Sequence, residues 1–146
     1  MLKRKLQLKL VVTACIVMFG SCKEGPKLFK LNKDTGITFT NTLTNSPELH
    51  ILSYLYYYNG AGVAAADFNN DGLTDVYFTA NQHNDALYLN ETGLKFNDVT
   101  AKARIHNSDG WTTGVTHVDI NNDGLLDIYV CKVSNFKNLR GHNLLY

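Results

Sequence analysis

The sequence predicts an all-β fold built from repeated sheets, and three observations carry that reading. Gly62–Ala80 (GVAAADFNNDGLTDVYFTA) and Gly114–Lys132 (GVTHVDINNDGLLDIYVCK) match without gaps, 52 residues apart. Self-similarity at such a period marks a repeat architecture in which each repeat is one supersecondary unit. Within each copy, apolar alternation gives way to an Asn/Asp/Gly loop and then resumes, the pattern of strand, turn and strand. The composition agrees. Eleven Gly against 2 Pro, with 8 Tyr and 7 Phe, favour turns and strands, and 45% hydrophobic against 18% charged residues is globular. No stretch reads as a long amphipathic helix, and the length admits one domain.

The elements follow in order. The first nine residues carry Lys3, Arg4, Lys5 and Lys9 and no acid, and Leu10–Gly20 is an apolar run of 11. A membrane-spanning helix needs ~20 such residues. A basic head, a short apolar middle and a small-residue exit instead spell a secretory signal over residues 1–21. The exit, FGSC, resembles the lipobox of bacterial lipoproteins, which implies that Cys22 becomes the lipidated first residue, although Phe19 stands where Leu is usual. Ordinary cleavage, leaving Cys22 a free thiol, is the alternative. Residues 22–28 then form a polar tether, and residues 29–146 fold. The expected location is exported, lipid-anchored to the bacterial outer membrane or cell surface, with membrane contact through the anchor.

Loss of the signal takes four of the 14 Lys and Arg, leaving 10 against 13 Asp and Glu, a net charge of −3. That is no footprint for nucleic acid. Cys131 is then without a disulfide partner and reads as a buried small hydrophobe in the alternating run DIYVCKV.

Gly36–Leu43 alternates as a strand, and Ile51–Gly60 (ILSYLYYYNG) reads as a dense aromatic strand entering the first repeat. The repeat itself offers GVAAAD, DVYFTA, ALYLNE and LKFNDVT. Four short strands make the blade of a β-propeller. The repeats span about 60–105 and 112–146. Tyr88 follows Asp75 by 13 residues, whereas Tyr146 follows Asp127 by 19, after an insertion around SNFKNLRGH. The second unit therefore ends in its third strand. A propeller closes with roughly 4–8 blades. The expectation is a partial β-propeller of about two blades, the second incomplete, forming the front piece of a longer protein.

The loops carry the chemistry. Counting from the first Asp, oxygen-bearing side chains fall at positions 1, 3, 5 and 9: Asp67, Asn69, Asp71 and Asp75, then Asp119, Asn121, Asp123 and Asp127. Gly72 and Gly124 hold position 6, where a sharp turn needs a positive φ. With the backbone carbonyls of Leu73 and Leu125, each loop offers five or more oxygens to a calcium ion. No His or Cys joins, so zinc and copper fit poorly. The EF-hand is rejected: it needs Glu at position 12, where Phe78 and Val130 stand, and strand-like residues follow. An Asn/Asp-rich turn without an ion is the alternative, weakened by the second copy at identical offsets.

These stretches resemble FG-GAP/VCBS-type repeats, the calcium-loop blades also found in integrin α propellers. Residues 29–146 are similar to the N-terminal part of bacterial surface proteins with an ASPIC/UnbV-type C-terminal domain, which is absent here. The resemblance implies calcium at the eight Asp and Asn side chains named above. It implies a calcium-stabilised surface module that recognises glycan or protein. Two other readings stay open. The chain is an N-terminal fragment of a propeller enzyme, a hydrolase or lyase, or it is a non-functional truncated product. The enzyme reading is the weaker, because no G-x-S-x-G, P-loop or Rossmann pattern is present and an axial site needs several blades. Tyr54–Tyr58 and Trp111 could stack on a sugar, but core packing is the commoner use of such rings. The five His lack metal spacing.

Overall fold

The computed structural model describes Gly25, residues 28–107 and residues 110–146. The signal expected at residues 1–21 and the anchor Cys22 lie outside the described residues. The chain forms two units, Met1–Lys33 and Asp34–Tyr146. In the first, residues 28–33 form no strand or helix, and Leu28, Phe29 and Leu31 are exposed.

The second unit is all-β, with no helix among its described residues. Strands β1 (Val63–Ala66), β2 (Asp75–Phe78), β3 (Ala86–Thr92) and β4 (Lys95–Asp98) pair antiparallel in that order. This is the four-stranded meander that the alternation predicts. The second sheet holds β5 (Trp111–Val118), β6 (Asp127–Phe136), β7 (Leu139–Arg140) and β8 (Leu144–Leu145). β6 pairs with β5 along one edge, and on the other with β8 near its start and β7 near its end.

The two sheets repeat in register as well as in sequence. In the first, Tyr77 lies opposite Leu87 and Val76 opposite Tyr88. In the second, Tyr129 lies opposite Leu145, and Ile128 and Tyr146 exchange backbone hydrogen bonds of 2.9 and 3.0 Å. The six extra residues between Asp127 and Tyr146 lengthen β6 and add β7 as a hairpin beyond the shared sheet.

Apolar side chains of the two sheets, Ala64, Tyr77, Leu87, Ile128 and Val130, meet in a core with Ile105 from the connection between them. β1 enters close to β5: a Cβ on Gly62 would lie 2.8 Å from the Val115 nitrogen and 2.9 Å from Gly114 Cα. A bulge between Thr112 and Gly114 marks this approach. A second core gathers Tyr54, Tyr57 and Trp111, with Trp111 edge-on to Tyr54 at 5.4 Å.

Two expectations about elements need correction. Gly36–Leu43 is not a strand. Its burial alternates as predicted, with Ile37, Phe39, Asn41 and Leu43 turned inward. No ladder forms, because side chains hold it: Asn41 Nδ2 donates to Asn81 Oδ1 at 2.7 Å, and Phe39 stacks on Phe78 at 4.9 Å. Ile51–Gly60 is a series of turns instead of a strand. The His50 carbonyl accepts from both Ser53 and Tyr54, and the Tyr54 carbonyl accepts from Tyr57. Tyr54 and Tyr57 are thus buried three residues apart, while Leu55, Tyr56 and Tyr58 face solvent. Trp111 opens β5 and is core, the commoner use of such a ring. Cys131 is half-buried in β6.

Candidate functional site

The nonapeptides form the β1–β2 and β5–β6 turns. Both contain two left-handed residues, Asn70 (φ 58) and Gly72 (φ 84), then Asn122 (φ 60) and Gly124 (φ 87). Asn is among the few side chains that tolerate this region, and Gly enters it freely.

The hydrogen bonds repeat one for one. Asp67 Oδ1 accepts from Asp71 N at 3.1 Å and Oδ2 from Gly72 N at 2.7 Å; Asp119 accepts from Asp123 N at 3.0 Å and Gly124 N at 2.9 Å. Asp71 Oδ1 accepts from Leu73 N, and Asp123 Oδ1 from Leu125 N, both at 2.8 Å. Asn69 Nδ2 meets Asp71 Oδ2, and Asn121 Nδ2 meets Asp123 Oδ2, both at 2.9 Å. The carboxyls at positions 1 and 5 are therefore drawn into one turn by its own backbone amides, with the Asn side chain of position 3 between them.

Position 9 closes the base of each loop. Asp75 Oδ2 accepts from Phe68 N, and Asp127 Oδ2 from Ile120 N, both at 2.9 Å. Asp75 is fully buried, and its Oδ1 accepts from Asn90 N in β3 at 2.8 Å. Asp127 is half-buried. Leu73 is half-buried and Leu125 exposed. Among the described residues, no three His, Cys, Asp or Glu side chains converge as a ready metal cluster. The loops present mixed carboxyl, amide and carbonyl oxygens instead. The scattered His stay apart from them except His117, whose ring stands edge-on to Phe68 at 5.9 Å.

A polar cluster that the sequence did not signal lies between the sheets. Buried Asp85 accepts from Ala80 N at 2.8 Å, from Tyr77 Oη at 3.0 Å and from Asn107 Nδ2. Lys132 Nζ donates to the Asn107 carbonyl at 2.8 Å. Burial pushes the Asp85 carboxyl above its ordinary range, although these donors oppose the shift. Burial, then the Asp85 charge, pushes the Tyr77 and Tyr146 phenols upward. Asp85, Tyr77 and Asn107 are buried and mutually satisfied, which suits a structural brace. Asp85 is the one acid in NQHNDAL, and its partner Asn107 lies 22 residues away, so no local motif could reveal the cluster.

No curated protein and no solved structure matches the chain. The profile of the FG-GAP-like repeat matches residues 67–130, from the first Asp of one loop to Val130 in β6, and supports the repeat family that the two loops resemble.

Proposed function

We propose that the chain is a calcium-stabilised binding module displayed at the cell surface, with glycan or protein as its ligand. The observation that carries this reading is one oxygen-lined turn built twice, hydrogen bond for hydrogen bond. The match to FG-GAP-like repeats suggests a β-propeller-like module, a kind often used in binding or adhesion.

The donor set suits a hard cation. An ionised carboxylate offers about four acceptor positions, and the loop amides take two at Asp67. Calcium accepts six to eight oxygens in flexible geometry, whereas magnesium demands a tighter octahedron. Asp67, Asn69, Asp71, the Leu73 carbonyl and Asp75 would hold one ion. Asp119, Asn121, Asp123, the Leu125 carbonyl and Asp127 would hold the other. The ion offsets the repulsion among the loop's carboxyls, and by binding only the folded loop it stabilises the fold.

Thermal unfolding with and without calcium tests this reading. Calcium should raise the melting temperature of the native chain, and Asp71→Ala with Asp123→Ala should remove the rise. An equal rise in the double variant would exclude these loops as the sites. The expected anchor has its own test. Cys22→Ser should release the protein from the membrane fraction and abolish labelling by a fatty-acid analogue, and persistent labelling would exclude Cys22.

A further inference from the structure

The two acidic loops touch. Asn70, position 4 of the first loop, donates from Nδ2 to the Gly124 carbonyl, position 6 of the second, at 3.1 Å. Both residues are left-handed, at φ 58 and φ 87, so the bond joins two conformations that the folded turns enforce. The contact of Phe68 with His117 joins the first loop to β5. The bridge runs one way. Asn122, the counterpart of Asn70, has the same backbone but reaches no acceptor among the described residues.

We propose that Asn70 couples the two loops into one cation-responsive unit, so that calcium in either raises the affinity of the other. The proposal rests on the calcium reading above. An ion that orders the first loop fixes the Asn70 backbone and thereby its amide. The amide then holds Gly124, whose neighbours Asp123 and Leu125 are donors of the second site. The second ion has less chain left to order, which is positive coupling without any change of fold. Linkage makes the effect reciprocal. Repulsion between the ions works against it, but each loop brings three acids to a divalent ion and stays net negative. Salt at about 0.15 M screens exposed charges beyond roughly 8 Å.

Calorimetric titration of calcium into the full chain at about 0.15 M salt tests the coupling. Asp123→Ala disables the second loop, with Asp123→Asn as the milder form if circular dichroism shows lost structure. Asn70→Gly removes the amide and keeps the positive φ. Disabling the second loop should weaken the first about fivefold in the native background, and hardly at all with Asn70→Gly. Asn122→Gly should leave the fivefold effect in place. An equal effect with and without the Asn70 amide, or none in either background, overturns the coupling and leaves the calcium reading standing. No calcium binding to the native chain overturns both.

Discussion

Asn41 and Asn81 hold each other twice. Asn41 Nδ2 donates to Asn81 Oδ1 at 2.7 Å, and Asn81 N donates to Asn41 Oδ1 at 3.0 Å. Asn81 also donates to the carbonyls of Gly60 at 3.0 Å and Thr112 at 2.8 Å. One buried amide thus ties the extended Gly36–Leu43 segment, the end of the tyrosine turns and β5 to the first sheet.

Asn81→Ala should therefore destabilise the fold by about 2–4 kcal/mol, because it leaves buried carbonyls without donors. Asn41→Ala, at a half-buried position, should cost about 1 kcal/mol. Urea unfolding measures both, and an equal or reversed order would contradict the role given to Asn81.

Asp85 gives a pH dependence of definite sign. Its folded pKa lies above the ordinary 3.8 because burial penalises the charge. A raised carboxyl pKa favours the folded state when protonated. Its contribution is present below pH 3.8 and is lost as pH climbs through the folded value, by up to about 1.4 kcal/mol per pH unit. Asp85→Asn does not titrate and sets two N–H donors against each other at Asn107. It should be destabilised, by an amount that shrinks as pH rises from 3.8. A constant difference between the two urea-unfolding profiles over that range would contradict this.

The glycines of the sheet contact should differ. Gly62→Ala drives a Cβ into the backbone of Gly114 and Val115 and should cost about 1–3 kcal/mol. Gly114→Ala meets nothing within 4 Å and should change stability little. Equal midpoints for the two variants in urea would show that the sheets do not approach this closely.

The tyrosine turns make a third comparison. Trp111→Ala should cost about 3–5 kcal/mol, since its ring is packed between Tyr54 and Tyr57. Tyr56→Ala removes an exposed ring and should stay within about 0.5 kcal/mol of the native chain. Similar losses would mean that both tyrosine faces are packed.

The duplicated loops and β1–β4 were legible because each strand is short, alternating and bounded by Asn, Asp or Gly, so local pattern and final pairing agree. Ile51–Gly60 was misread because aromatic residues favour strands wherever a ladder exists, and here the His50 and Tyr54 carbonyls close turns first. Gly36–Leu43 shows the converse. Its alternation reports a genuine buried face, but periodicity cannot tell a backbone ladder from the amide pair Asn41–Asn81. The Asp85 brace joins residues 22 apart in sequence, Asp85 and Asn107, and the bridge from Asn70 to Gly124 joins residues 54 apart. Such contacts exist only once the sheets have met.

Each nonapeptide is proposed to hold one calcium ion. Calorimetric titration of the metal-stripped full chain at neutral pH counts the ions directly. Two per chain are expected, falling to one when either Asp71 or Asp123 is replaced by Ala. Titration with no heat above dilution, or a stoichiometry that ignores both substitutions, would contradict it.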